Sequence, residues 1–493
     1  MSEPDLRMKP PEKGAIVRMY CTGLGDCFLL GFRGDDGETS YILIDCGVLK
    51  GTRGADSWMR TILQHIRGEV GERGLDLLVV THAHWDHLSG FDQGREIFED
   101  RGFQVKQVWL PWTENREDPV ALRMAEERSL ALRAAVAAAG ELRARLSLES
   151  PGTDRFSALR STVEGLEALL GFTSTEDLLE IVRGKVNAPK YVRPGLKPLS
   201  LGNLSGLRIY PLGPPTDPRR LGKDDPSKAP GKSEVYLAGL PLNEDAALHA
   251  AACPLGPEAT FEEKECYELT FPFDPWQRRY SREEAAADPE HGEFFRTRYL
   301  EPSRERAPEW RQVDMDWLEV ASQLALNLDA HVNNTSLVLA FELGEGGPVL
   351  LFPGDAQVGN WLSWHELESV GGVTAESLLN RTVLYKVSHH GSHNGTLKDK
   401  GLKMMTNTSK LVAMLPVDQD EAKKPKGRNT NGWAMPHDKL LDDLRVRTQG
   451  RILRADQDPE KSENTFAYKT PFEIDGTVEE RTLFIQHTVT GEG

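Results

Sequence analysis

One short segment of the chain carries four side chains of the kinds that bind metal ions. His82, His84, Asp86 and His87 lie within six residues, directly after the apolar run LDLLVV at 75–80. That run predicts a strand buried on both faces, and the loop that leaves it can turn alternate side chains toward one point. The first two histidines can therefore hold one metal ion, and the aspartate and third histidine a second. Imidazole and carboxylate suit Zn²⁺, and also Mn²⁺ or Fe.

Two later segments place further candidate ligands at the ends of apolar strands. Asp355 ends LLFPGD, where it can bridge two metal ions. His389 and His390 follow the predicted strand TVLYKV, and one of them can complete the shell of the second metal. The spacing does not decide which of the two it is. Each segment alone would be an ordinary turn, but three such groups at strand ends are typical of an active site.

Asp45 closes another apolar run, ILID, before Cys46 and Gly47. In that position its carboxylate can accept a hydrogen bond from the ring nitrogen that does not bind the metal, and so orient a ligating imidazole. A turn-forming Asp-Cys-Gly is an equally good interpretation of the same residues.

The order of predicted elements indicates an α/β protein whose sheets are covered by helices. A helix is predicted over 55–69 and another near 437–445. The predicted strands lie at 15–20, 27–32, 41–45, 75–80, 104–112, 207–215, 336–343, 348–355, 382–391 and 411–417, with two closing strands after 464. Two stretches interrupt this order. Residues 117–200 are rich in Ala, Arg, Glu and Leu and predict a helical insertion, and the polar, Pro-rich residues 216–315 predict a second insertion or a decorated loop.

Composition narrows the class of protein. The 493 residues carry 59 basic and 76 acidic side chains, a net charge of −17. That charge argues against a protein whose main task is to coat nucleic acid. No apolar run reaches the ~20 residues of a membrane span, and the N-terminus has no signal-peptide core. Five cysteines without paired spacing predict reduced thiols and a cytoplasmic location.

Several segments together resemble the metallo-β-lactamase-fold hydrolases. More narrowly, they are similar to the soluble hydrolase domain of the bacterial competence DNA-uptake protein and its stand-alone relatives. The similar segments are TGLGD with CFLL, YILIDCG, THAHWDHLSG, NNTSLVL, LLFPGDA and YKVSHHGSHNGT. They cover about 14–115 and 205–470, in the same order. The resemblance implies a hydrolase domain over 14–490, interrupted by the insertions at 117–200 and 216–315.

The resemblance also implies a fold and a set of ligands. The fold is an αββα sandwich, in which two sheets pack face to face with helices outside. His82 and His84 would bind the first metal, Asp86 and His87 the second, Asp355 both, and either His389 or His390 the second. Many relatives have one more histidine ahead of the strand before Gly-Asp. His331 is the candidate here, unless an Asn of the His-Val-Asn-Asn-Thr stretch replaces it.

These features predict a metal-dependent hydrolase that holds one or two Zn²⁺ ions. The first hypothesis is a phosphodiesterase or nuclease in which a metal-bridging hydroxide attacks phosphorus and Asp86 orients it. The proton for the leaving oxygen would come from His393 or from the non-ligating member of the His389/His390 pair. Phosphate oxygens would be held by Lys386, Ser392 and Asn394. The substrate would be nucleic acid or a nucleotide, and the insertions could dock a protein partner.

Two alternatives remain open at this point. The same metal pair could hydrolyse a carboxylic ester, a thioester or a lactam, because hydroxide attacks carbonyl carbon as well as phosphorus. The chain could also be a non-catalytic binding protein on a hydrolase fold, although the intact HxHxDH and Gly-Asp motifs argue against it.

Overall fold

The computed structural model describes residues 6–126, 128, 175–221, 282–296, 331–424 and 432–491. The chain divides into two compact units. The first comprises Met1–Glu126, Gly171–Leu240 and Asp329–Gly493, and the second comprises Glu127–Leu170 and Pro241–Leu328. Most of both predicted insertions lies outside the described residues. Their boundaries therefore stay predictions.

The first unit contains an eight-stranded mixed sheet. Its strands in chain order are β1 (Gly14–Tyr20), β2 (Cys27–Arg33), β3 (Thr39–Cys46), β4 (Leu77–Val79), β5 (Val108–Pro111), β6 (Lys190–Val192), β13 (Thr465–Ile474) and β14 (Thr477–Thr490). Their spatial order is β13-β14-β1-β2-β3-β4-β5-β6. β3 to β6 run parallel to one another, whereas β2 is antiparallel to β3 and pairs Cys27 with Cys46.

A six-stranded sheet forms the other half of this unit. It contains β7 (Leu207–Gly213), β8 (Val338–Leu343), β9 (Val349–Phe352), β10 (Thr382–Lys386), β11 (Val412–Leu415) and β12 (Ile452–Arg454). The spatial order is β12-β11-β10-β9-β8-β7. β9 to β12 are parallel, and β8 is antiparallel to both of its neighbours.

The helices of the described residues are mostly short. Their bounds are Ala55–Val70, Trp85–Gln93, Arg95–Phe98, Thr175–Arg183, Pro218–Leu221, Arg282–Ala287, Gly292–Phe295, Val358–Trp364, Ala375–Asn380, Gln419–Ala422 and Asp438–Thr448. Within the described ranges, none has the length and apolar character that a bilayer crossing requires.

The two sheets pack face to face, and alternate side chains of each strand point to opposite faces. In β3, Ile42 and Ile44 join a buried cluster that also contains residues of β8, β9 and β10 from the other sheet. The rings of Phe28 and Phe352 meet across this layer, 5.5 Å apart. The opposite faces are covered by helices, Ala55–Val70 on the first sheet and Val358–Trp364 on the second. The predicted α/β sandwich with helices outside is therefore confirmed.

This topology gathers the polar strand ends that the sequence analysis identified. The carboxyl ends of β3 and β4 are neighbours because these strands are parallel, and the start of β2 lies beside the end of β3 because that pair is antiparallel. In the second sheet, the carboxyl ends of β9 and β10 are neighbours for the same reason. Asp45 is the next-to-last residue of β3, and His82, Asp355 and His390 follow the ends of β4, β9 and β10.

Candidate metal centre

The loop after β4 packs closely against the loop after β3, which fixes the position of Asp86. The backbone carbonyl of Asp86 accepts a hydrogen bond from the backbone N–H of Asp26, 3.0 Å away. A Cβ atom at Gly47 would lie 2.3 Å from the backbone carbon of Asp86. Only glycine permits this approach, which places the first turn of helix Trp85–Gln93 at the sheet edge.

Asp45 holds the ring of His87 in a defined orientation. The Nδ1 atom of His87 lies 2.8 Å from Oδ2 of Asp45. The other carboxylate oxygen, Oδ1, accepts the N–H of Thr81 at 2.7 Å. Because Nδ1 is used in this way, Nε2 of His87 points away from Asp45. It is buried and makes no hydrogen bond among the described residues, as expected of a metal ligand.

Four donor atoms converge in front of this ring. Oδ2 of Asp355 lies 3.3 Å from Nε2 of His87 and 3.4 Å from Nε2 of His390. Oδ2 of Asp86 lies 3.1 Å from Nε2 of His390 and 3.9 Å from that of His87. Ligands bound ~2.0–2.1 Å from a tetrahedral zinc ion are about 3.3 Å apart. These four separations between carboxylate and imidazole donors are of the size expected for ligands of one divalent cation.

The two adjacent histidines of the Ser-His-His-Gly segment have different surroundings. His390 places Nδ1 2.7 Å from the carbonyl of Pro416, which can only accept, so a neutral ring leaves Nε2 bare for a metal. His389 lies instead among neutral polar groups. Its Nδ1 is 2.7 Å from Oγ of Ser392 and 3.3 Å from Nε2 of Gln357. Both histidines have φ of 50°, in the left-handed region that non-glycine residues seldom adopt.

His82 and His84 form a second, smaller group of possible metal ligands. Thr81 gives its single hydroxyl proton to Asp45 at 2.7 Å, so its oxygen accepts Nδ1–H of His82 at 3.0 Å. This tautomer leaves Nε2 of His82 as an acceptor, 3.0 Å from Nδ1 of His84. The two atoms lie near enough to share one ion.

The two alternatives for a further ligand beside His82 and His84, namely His331 and an asparagine, differ in their surroundings. The side chain of His331 is exposed, whereas His82 and His84 are buried. Asn333 is buried and places Nδ2 3.5 Å from Nε2 of His389. This placement favours the asparagine alternative over His331, because Asn333 lies inside the buried part of the site and His331 is exposed.

Asp26 is a member of the cluster that the sequence analysis did not assign. Asp26, His87, Asp355 and His390 are all buried, and each offers one ligand atom within 4.8 Å of the others. The sequence does contain a signal for Asp26, because this carboxylate directly precedes the apolar run CFLL. Asp45, in contrast, was identified because it closes an apolar run.

The remaining candidates lie around the cluster in different roles. Lys386 is buried, with Nζ 3.0 Å from Oδ1 of Asp355. Ser392 donates to Oδ1 of Asn394 at 2.8 Å and so connects that residue to His389. His393 is half-buried and its ring centroid lies 6.4 Å from that of His437. The structure therefore places His393 beside another histidine.

Burial and neighbouring charges shift the pKa values of several groups at this site. Burial alone would lower the pKa of His87, but Asp355, Asp26 and Asp45 outweigh it and raise it well above the usual value. Burial would raise the pKa of Asp355, but Lys386 and His87 hold it well below its usual range. Burial lowers the pKa of His84 to about 3 and that of His389 to about 4. The negative potential at His87 can be neutralised by a proton or by a divalent ion.

Replacing Asp45 tests whether it orients the ligand. Asp45→Asn keeps the size of the side chain but weakens the contact to Nδ1 of His87. We expect about 10–100-fold weaker Zn²⁺ binding, measured by competition with a chromophoric chelator. Asp76→Asn is the matched control, because Asp76 is also buried but bonds to Tyr41 and Lys106. Equal affinities of the two variants would contradict this role of Asp45.

Comparison with known proteins gives one match. Residues 22–175 match the family model described as the metallo-beta-lactamase superfamily. No curated protein and no solved structure matches the chain. The matched region contains Asp26, Asp45 and the whole His82–His87 motif, whereas Asp355 and His390 follow later in the chain. The chain therefore contains a metallo-beta-lactamase domain in an α/β fold with extra insertions, and its buried cluster of possible metal ligands supports a metal-dependent hydrolase.

Proposed function

We propose that this chain is a metal-dependent phosphodiesterase or nuclease. One observation carries the proposal, namely the convergence of Asp86, His87, Asp355 and His390 from three strand ends with donor atoms 3.1–3.9 Å apart. A binding protein has no need for this arrangement, in which His87, Asp355 and His390 are buried, because burying such groups is costly unless they are compensated. Zn²⁺ is the first candidate metal, with Mn²⁺ or Fe as alternatives.

Each side chain has a part in the proposed reaction. A divalent ion bound here would polarise a phosphoryl oxygen and lower the pKa of a bound water molecule. Asp86, His87, Asp355 and His390 would hold that ion, and His82 and His84 with Asn333 would hold a second. Asp86 also faces the cluster with a side chain that is 21% exposed, so its carboxylate can orient the attacking water.

His389 and its neighbours suit the binding of the substrate. With a pKa of about 4, the ring of His389 is neutral near pH 7 and acts as a hydrogen-bonding group. Asn333, Gln357 and Ser392 surround it. We propose that His389, Gln357 and Ser392 hold substrate oxygens beside the metal, the task for which the sequence singled out Ser392 and Asn394.

The chemistry of the cluster favours phosphoryl over acyl substrates. Its ligands are carboxylates and imidazoles without a thiolate, and carboxylate oxygen suits hard ions that also bind phosphate oxygen well. The net charge of −17 repels long nucleic acids at low salt. We therefore propose short or small substrates, or a partner that delivers a longer one. The buried free thiols of Cys21, Cys27 and Cys46 are in keeping with a cytoplasmic setting.

A substrate comparison tests the proposal. Protein loaded with Zn²⁺ or Mn²⁺ is assayed with bis-p-nitrophenyl phosphate and with nitrocefin. It is also assayed with single-stranded and double-stranded nucleic acids and with cyclic nucleotides. We expect hydrolysis of the phosphodiester and of at least one nucleotide class, and loss of both after chelation. Hydrolysis of nitrocefin alone would replace the proposal by acyl hydrolysis. No metal in the purified protein, together with no turnover after loading, would indicate a binding protein.

A further inference from the structure

Lys386 ends β10 inside the candidate metal centre, and its ammonium group has no donor left for a substrate. Its side chain is 1% exposed. Nζ donates to the carbonyl of Gly354 at 2.8 Å, to Oδ1 of Asp355 at 3.0 Å, and to Oδ2 of Asp26 through a short ion pair. An ammonium group has three N–H donors, and all three are used. The expectation that Lys386 holds a phosphate oxygen therefore does not fit its contacts.

The contacts of Lys386 divide the Asp355 carboxylate into two halves. Oδ1 accepts from Nζ of Lys386 at 3.0 Å and from the N–H of His389 at 3.2 Å. Oδ2 lies 3.3 Å from Nε2 of His87 and 3.4 Å from Nε2 of His390. Only Oδ2 is therefore directed at the position that a cation would take.

Asp26 is engaged by the same ammonium group. Its Oδ2 pairs with Lys386, and Oδ1 is 3.9 Å from Nδ1 of His390, the nitrogen that bonds to Pro416. Nε2 of His390, the nitrogen that would bind a metal, is on the other side of that ring. Asp26 thus faces the lysine and the backs of the ligands, although it is close to them.

We propose that Lys386 is a positioning residue of the metal centre, which reserves Oδ1 of Asp355 so that this carboxylate binds a metal through Oδ2 alone. Asp26 supplies the counter-charge that keeps the ammonium group in place and is not a ligand. The inference rests on the metal centre of the proposed function and is independent of which bond the enzyme hydrolyses.

Cobalt substitution tests this arrangement. Four-coordinate Co²⁺ absorbs visible light more strongly than five- or six-coordinate Co²⁺, so its spectrum reports how many atoms bind it. The full-length wild type and the variants Lys386→Met, Lys386→Arg and Asp26→Asn are stripped with a chelator and reloaded with Co²⁺. Bound cobalt per chain and the visible spectrum are then measured.

Lys386→Met is expected to bind Co²⁺ with a weaker visible spectrum, because Oδ1 of Asp355 becomes available as a further ligand. Lys386→Arg, which keeps a cation at Oδ1, is expected to retain the wild-type spectrum. Asp26→Asn is expected to retain the cobalt content of the wild type. A wild-type spectrum in Lys386→Met, or loss of cobalt in Asp26→Asn, would overturn the inference. If Lys386→Met does not fold, the cobalt content of Asp26→Asn and the spectrum of Lys386→Arg still decide whether the inference holds.

A different result would count against the proposed function instead. If the wild type itself bound no Co²⁺, Zn²⁺ or Mn²⁺, the metal centre would be wrong. That result is separate from a change in the spectrum of a variant, so the two failures can be distinguished.

Discussion

His390→Ala is expected to lose metal binding, whereas His389→Ala is expected to keep it. Nε2 of His390 lies 3.1 Å from Asp86 and 3.4 Å from Asp355, at the position of a shared ligand. The ring of His389 is hydrogen-bonded to Ser392 instead. Removing one of four ligands should weaken Zn²⁺ binding by about 100-fold or more, above the 10–100-fold typical of groups behind the ligands.

The pair is measured side by side, because the two positions are adjacent and both are histidines. Bound zinc per chain is determined by elemental analysis after dialysis, and the affinity by chelator competition. His389→Ala should bind zinc like the wild type but raise KM, since its ring belongs to the proposed substrate-binding group. The reverse pattern, with zinc lost from His389→Ala and kept by His390→Ala, would exchange their roles.

Asp86→Ala is expected to lower turnover by about 10³-fold while the metal-free fold stays intact. Asp86 both faces His390 and is available to orient the attacking water, and a positioned proton acceptor typically contributes 10²–10⁴-fold. Its removal also takes one carboxylate out of a crowded acidic site, so the metal-free protein loses little. We expect its free energy of unfolding to remain within about 1 kcal/mol of the wild-type value.

Asp92→Ala is the matched control for this variant. Asp92 lies on the same helix, Trp85–Gln93, but its side chain is exposed. Hydrolysis of bis-p-nitrophenyl phosphate and urea denaturation in the presence of a chelator are measured for both variants. Comparable turnover of Asp86→Ala and Asp92→Ala, both near the wild type, would contradict the mechanism.

The sequence patterns were sufficient to predict an α/β protein and most of the polar strand ends, and the family resemblance implied the sandwich. Apolar runs such as LDLLVV predict strands through their composition alone, and the side chains that follow them are easy to identify. The sequence does not show which ends meet. His390 contacts Asp86 across 304 positions of the chain, and only the parallel pairing of β9 with β10, packed on the first sheet, brings them together.

Other parts of the site depend on contacts that no local pattern encodes. His389 and His390 have the same residue type and the same φ, so the partners Ser392 and Pro416 decide their roles. Asp26 is equally hidden, because a carboxylate in a Gly-rich segment usually forms a turn. The position of Asp26 in the site becomes evident only from its ion pair with Lys386.

The candidate ligands come from both halves of the sandwich. Asp86 and His87 follow β4 of the eight-stranded sheet, whereas Asp355 and His390 follow β9 and β10 of the six-stranded sheet. A cation held by all four would cross-link the sheets at one edge, and they could not separate without releasing it. Each tenfold gain in metal affinity would then add about 1.4 kcal/mol to the cost of pulling the sheets apart. Metal supply would thus govern how long the folded chain survives as well as how fast it works.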